Sequence, residues 1–422
     1  MRKFILGMLG VAATVFALQA TQANVNAGVF EECSPCDVVS ECNPCDDAAE
    51  CDPCDAVCGK KKSKWFFNGH VESGLWANEY GQNSDYYPGR HGTFDPDSGN
   101  TAVLQNVQHT GYQLNQAYFS AGKSVDGRYG WDFGGTADFT FGTDARIVQA
   151  AGFEKLNGHD ATGWGSGDYY SAFAQAYFEA AYKKWNFKAG KFYAPFGSQV
   201  YKGSDSFFYS FAPTYGFVPA TAGGAYATYT VNNKLAVYGG WVQPDQFGET
   251  SEDNAFLGGV VFQATKRLNL HYATAFGKNT NNGADVDYFV NSLVATYQLN
   301  KKWKYVFDFS LKNAEIGPKA TDVHALDYGF NNELIYQYSK KLAFGARYAY
   351  VRDKGFAYPL YWNDNTYLHS ISLGANYAPT KWLVIKPELR YDVTDDGTTF
   401  NWNGGESSKH QLSGGFSTVV KF

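Results

Sequence analysis

Beyond its first twenty residues the chain has no long apolar run. A helix that crosses a bilayer needs about 20 consecutive apolar residues, so a helical membrane protein is excluded. Methionine is scarce at 2, and cysteine is missing from everything after Cys58. Charge is also nearly balanced where most of the chain lies. The total is −6, but residues 28–58 hold nine Asp and Glu with no Lys or Arg, and the basic start holds Arg2 and Lys3. The remainder is close to neutral and lacks the basic stripe that nucleic-acid binding needs. Catalytic groupings are wanting too. The eight histidines are scattered and none makes an H-E-x-x-H pair. GWGSGD at 163–168 is glycine-rich without a helix after it, and DPDSGN at 95–100 carries Gly99 and Asn100 in the wrong order for a calcium loop. The expectation is therefore no enzyme and no cofactor.

What is abundant is aromatic and small. Phe, Trp and Tyr make up 18% of the chain, with 31 Tyr, 33 Phe and 45 Gly, a composition of β-rich proteins with an aromatic-faced surface. At the N-terminus, Arg2 and Lys3 precede an apolar stretch from Phe4 to Leu18 and a run of small residues. That is the layout of a secretory signal peptide. The expected segments are a signal over 1–27, an acidic cysteine-rich segment with a basic linker over 28–63, and one body over 64–422. Cleavage after Ala27 or after Ala23 fits equally.

The body alternates with period two. In WKYVFDFSLK (303–312), Trp303, Tyr305, Phe307, Phe309 and Leu311 fall on one side, and Lys304, Val306, Asp308, Ser310 and Lys312 on the other. WDFGGTADFTF and WLVIKPELRYD repeat the pattern. Apolar faces end in aromatics, while polar faces carry full charges of both signs. Lipid outside and water inside demand this arrangement, and a closed barrel leaves no unpaired backbone edge in the bilayer. Six tight polar connectors recur: YKKW (182–185), NNKL (232–235), TKRL (265–268), NKKW (300–303), SKKL (339–342) and TKWL (380–383). VDGRYGW (125–131) plays the same part. Seven short turns imply sixteen strands, with fourteen or eighteen as the alternatives, because HTGYQLNQAYFSAG (109–122) and NAFLGGVVFQA (254–264) alternate poorly. Lys191 falls in phase with the apolar Trp185 and Phe187, so an irregularity is expected there. The opposite connectors are long and rich in Gly, Asn and Asp. The fold class expected is all-β, a transmembrane antiparallel barrel of about 16 strands, with a short disordered cysteine-rich N-terminal segment.

The chain ends HQLSGGFSTVVKF. Phe422 closes an aromatic-terminated strand of the sort that barrel assembly machinery recognises. The stretch 189–229 places Gly190, Lys191, Phe192, Pro195, Phe196 and Gly197 before an aromatic run of Phe207, Phe208, Tyr209 and Phe211, then Gly223 and Gly224. It resembles the OmpL-like β-barrel porin family of the porin-2 type, from about Trp65 to Phe422. The resemblance implies an outer-membrane diffusion channel for small hydrophilic solutes. It places the protein among outer-membrane lipid, with a homotrimer as the default for this barrel size. Segment 28–58 lies outside the family pattern.

Strand count makes 198–221 the third long connection, and its segment DSFFYSFAPTYGFVP is too apolar for a solvated loop. Phe207, Phe208, Tyr209, Phe211 and Tyr215 are expected to fold into the lumen as a constriction, with subunit contact as the alternative. Phase predicts inward, pore-lining charges at Glu72, Asp132, Asp138, Glu179, Lys304, Asp308, Arg347, Lys386, Glu388 and Arg390. Such charges suit a water-filled lumen or a barrel filled by salt-bridged side chains. A structural envelope protein, with the barrel mainly an anchor, is the rival reading.

Six of the seven cysteines, Cys33, Cys36, Cys42, Cys45, Cys51 and Cys54, lie in a C-x-P-C-D unit given three times, and Cys58 follows the last. An even strand count puts both barrel termini in the periplasm, which is oxidising. The segment has too little apolar content to fold by burial. An odd number of thiols leaves at least one unpaired within a chain. The expectation is an acidic tether whose cysteines form disulfides, some to other envelope proteins or neighbouring copies. Tetrathiolate metal binding and purely local disulfides are the alternatives.

Overall fold

A computed structural model describes residues 64–80, 111–156, 159–160, 162, 168–244, 254–281, 284–316, 323–353, 366–395, 400 and 408–422. The signal segment, all seven cysteines and DPDSGN lie outside the described residues, as does most of GWGSGD.

Sixteen antiparallel strands close into one barrel. In chain order they are β1 (Trp65–Asn78), β2 (Tyr112–Lys123), β3 (Asp132–Gly142), β4 (Tyr170–Tyr182), β5 (Trp185–Tyr193), β6 (Thr221–Asn232), β7 (Leu235–Pro244) and β8 (Ala255–Thr265). The second half is β9 (Leu268–Asn281), β10 (Ala284–Gln298), β11 (Trp303–Ile316), β12 (Val323–Gln337), β13 (Leu342–Asp353), β14 (Thr366–Tyr377), β15 (Leu383–Thr394) and β16 (His410–Lys421). Each strand pairs with its sequence neighbours. Closure comes from β1 against β16, with His70 opposite Lys421 and Leu75 opposite Phe416. Beyond β16, Phe422 exchanges both backbone hydrogen bonds with Gly69 at 3.0 Å.

The seven expected turns each join successive strands and share one end of the barrel. The connectors at the opposite end are mostly long, as expected, but β9 ends at Asn281 and β10 begins at Ala284, so that one is short. Aromatic rings crowd the end of the seven turns on the outer surface. Trp131 stacks on Tyr182 at 5.0 Å and lies beside Phe133 and Phe187, while Trp185 meets Tyr229 and Trp303 meets Tyr336. An indole with an apolar body and one polar N–H suits a membrane interface.

The two poorly alternating segments are strands β2 and β8, and each has a physical reason. In β2 the register shifts so that Glu72 faces Gln116 and Ser73 faces Leu114. Asn115 is the extra residue of a bulge, and both Asn115 and Gln116 are buried. A bulge puts two successive side chains where alternation allows one. In β8 the pair Gly258 and Gly259 leaves room for rings: Phe256 covers the first, and Tyr238 from β7 occupies the space a side chain at Gly259 would need. At Lys191 the irregularity sits one residue earlier, where Gly190 has φ 132 and pairs with Gly224 at φ 145. Only glycine adopts such angles without strain. Lys191 is buried rather than lipid-exposed. It bonds both oxygens of Glu154 at 2.8 and 2.9 Å and the Val148 carbonyl at 2.7 Å.

Candidate functional site

The third long connection, residues 194–220, folds inward and crosses the barrel. Every residue from Phe208 to Tyr215 is buried, packed among the inner faces of the strands. Its entry and exit stay together, with the Ala194 N–H on the Ala220 carbonyl at 3.2 Å.

The arm is pinned from several sides. On β10 and β11, Gly197 donates its N–H to the Ser292 hydroxyl at 2.8 Å, and Ser198 donates its N–H and hydroxyl to Asp308 at 2.8 and 2.9 Å. On β12, Glu333 accepts from the Gln199 amide at 2.7 Å. On β2, Gln116 accepts the Gly203 N–H at 3.0 Å and donates to the Tyr201 carbonyl at 2.8 Å. Asn115 accepts from the Tyr209 hydroxyl at 2.9 Å. The bulge thus supplies both amides.

The densest contact is at Ser210. Its N–H and hydroxyl both go to Glu388, at 2.8 and 2.7 Å. Arg347 donates to the Ser210 carbonyl at 2.6 Å, to its hydroxyl at 2.7 Å, and to Glu388 at 3.0 Å. Arg390 holds the Phe211 carbonyl at 3.1 Å while its Nε pairs with Asp392 at 2.9 Å. Period two brings Lys386, Glu388, Arg390 and Asp392 of β15 to one face, where alternating signs offset one another's desolvation cost. Lys386 completes the row, bonding Glu72 at 2.7 Å and the Gly203 carbonyl at 2.9 Å. Gly203 lies so close to the Glu72 carboxylate that a side chain would displace it.

The aromatic residues wedge between these polar anchors. Phe207 rests on Gly345 and Phe208 on Gly374, both inward positions without side chains. The Arg347 guanidinium lies 4.5 Å from the Phe208 ring centre, a cation–π contact. Tyr209 meets Trp76 edge-on at 5.7 Å, and Phe211 stacks on Tyr215 at 4.5 Å.

Seven of the ten charges expected to face inward meet this arm: Glu72, Asp138, Asp308, Arg347, Lys386, Glu388 and Arg390. Asp138 does so through Lys202 at 3.6 Å and also accepts from Gln175 at 2.7 Å. Three do not. Asp132 sits at the short-turn rim, tied to Lys64 at 2.6 Å and Lys123 at 2.8 Å. Glu179 on β4 accepts from Asn186 of β5 at 2.8 Å. Lys304 lines the short-turn mouth. Sequence reasoning missed Asn115, Gln116, Ser292 and Glu333, which are uncharged or unremarked inward residues. It also missed Ser210, whose only signal is a small polar residue inside the apolar run FFYSFAP.

The second long connection supports the same region. Its short 3-10 turn, Thr143–Ile147, places Asp144 beside Asn115 at 3.2 Å and Gln116 at 2.9 Å. Burial first, then the Glu72 carboxylate, pushes the Asp144 carboxyl from 3.8 up to about 7. A raised carboxyl favours the protonated fold. The stabilisation is full below about pH 4 and is lost as pH rises through about 7. Resistance to denaturant is expected to fall over that window, and Asp144→Asn should flatten this part of the pH profile. An identical profile in the variant would remove Asp144 as its source.

A closed sixteen-stranded barrel with an aromatic outer girdle and an inward-folded third connection defines a porin-type outer-membrane channel. A family model described as beta-barrel porin-2, OmpL-like, matches residues 82–422. The chain belongs to that family; the match begins at 82 rather than near Trp65. No curated protein matches the chain. Among solved structures, the anion-selective porin from Comamonas acidovorans is similar at TM-score 0.57 and 11% identity, covering 86% of this chain and 100% of that one. The outer membrane channel DcaP of Acinetobacter baumannii is similar at TM-score 0.52 and 12% identity, over 85% and 97%. OmpT of Vibrio cholerae follows at TM-score 0.50 and 14% identity, over 85% and 97%. At these identities the likeness is one of fold.

Proposed function

We propose that the protein is a channel and not an enzyme, passing small hydrophilic solutes by passive diffusion with residues 194–220 as the element that limits flow. The observation that carries this is the arm itself, held across the lumen by charges from β1, β3, β11, β13 and β15. In planar bilayers the pure protein is expected to give stepwise conductance. Complete absence of steps would favour the second reading, a closed barrel serving as an envelope anchor. The unbroken burial of residues 208–215 is the feature that speaks for that rival.

In this reading the short turns face the periplasm and both termini lie there. Residues 1–27 are removed, Phe422 is the assembly signal, and three copies associate. Cys33, Cys36, Cys42, Cys45, Cys51, Cys54 and Cys58 form disulfides, some to other envelope proteins. Non-reducing gels of envelope extracts are expected to show high-mass species that collapse with a thiol reductant and vanish when residues 33–58 are deleted. A monomer without reductant carrying stoichiometric zinc would assign the thiols to metal instead.

A further inference from the structure

The short-turn mouth holds a cavity of about 450 Å³ beneath the arm, bounded by residues 203–207 and by strands β10 to β16. Seven lysines line it, and Asp205 is the one acidic residue among the described lining residues. Two of the seven are engaged, Lys386 with Glu72 and Lys421 with the Ser204 carbonyl at 2.7 Å. Lys301, Lys302, Lys304, Lys340 and Lys341 have no carboxylate within ion-pair distance among the described residues. Five cations converging on one concave mouth raise the local concentration of anions.

The same end of the barrel is where the acidic segment attaches. Lys64 precedes β1, β1 pairs with β16, and Lys421 at the end of β16 is already in the cavity wall. Neighbouring strands lie about 4.8 Å apart, so the cavity begins one strand from the attachment point. Residues 56–63 alone reach roughly 25 Å when extended, enough to carry Asp55 into the mouth. Residues 28–58 hold nine carboxylates and no base.

We propose that the acidic segment 28–58 docks its carboxylates on Lys301, Lys302, Lys304, Lys340 and Lys341 of its own barrel. This goes beyond the channel reading, because it gives the segment a target within the chain and makes it a determinant of which ions pass. The nine acids neutralise the lysine ring, and charge rings at a mouth set ion preference.

The test is zero-length carbodiimide cross-linking of the full chain in neutral detergent, read by peptide mass spectrometry. Amide links are expected between Asp or Glu of 28–58 and the five lysines. They should fade in 1 M salt, where the screening length contracts from about 10 Å to about 3 Å. A second, full-length variant carries all nine acids as amides, Glu31→Gln, Asp37→Asn and the others alike. Its reversal potential in a salt gradient should move towards anion permeation, and the shift should disappear when the five lysines are also changed to Gln. Links confined to Lys60, Lys61, Lys62 and Lys64, or spread evenly to distant turn lysines such as Lys183 and Lys234, would overturn the proposal. So would an unchanged reversal potential in the amide variant. If the protein proves not to conduct, the cross-linking pattern still decides, so the two readings fail separately.

Discussion

A chain lacking Ser204 to Tyr215 is expected to conduct several times more current per opening than the intact protein, with its barrel still folded. The deletion takes out the buried run 208–215, so it exchanges packed side chains for water. The strands should tolerate the change because Ala194 and Ala220 are already hydrogen-bonded at the base of the arm. The wall keeps its internal pairs, Arg347 with Glu388 and Arg390 with Asp392, and gains hydration where it loses the arm. Single-channel recording and heat-modifiable gel migration give the two readouts. Unchanged conductance in a folded variant would place permeation away from this arm.

Glu388→Ala should release the arm without deleting it. Both Glu388 oxygens serve Ser210, and one also balances Arg347. Removing one member of a buried ion pair costs about 3–5 kcal/mol, because the other charge is left uncompensated. The expected result is a lower denaturant midpoint together with larger, noisier openings. Adding Arg347→Met removes the stranded cation, so the midpoint should recover in part while the openings stay large. Full recovery of both would mean that Glu388 matters only as a counter-charge and not as the latch on Ser210.

The barrel was legible in the sequence because lipid and water impose opposite demands on alternate residues, and lysine-bearing turns punctuate them. WKYVFDFSLK and WLVIKPELRYD show both faces within one strand. The row Lys386, Glu388, Arg390 could be placed inward by the same phase. What the sequence could not convey was the other half of each contact. Inward phase says nothing of whether a charge meets water, a strand neighbour or a loop atom, so Glu388 and Asp132 read alike. One binds the arm; the other fastens a turn at the rim. The bulge at Asn115 breaks the very alternation used to find strands, which is why β2 looked weak where it contributes most. Lys191 looked misplaced because its partner, Glu154, arrives from a separate connection.

The arm's anchors also dictate an order of events. Gly197 waits for Ser292, Ser198 for Asp308, and Ser210 for Arg347 and Glu388, partners 95 to 178 residues further along the chain. None of these bonds can form while only the first half of the barrel exists. Pairing β1 with β16 requires the last residues as well. Contacts this distant in sequence make folding slow, so sealing the wall and locking the arm belong to one late step. Until then residues 204–215 are an exposed aromatic segment, and a chain stalled before β15 would present it as an aggregation site.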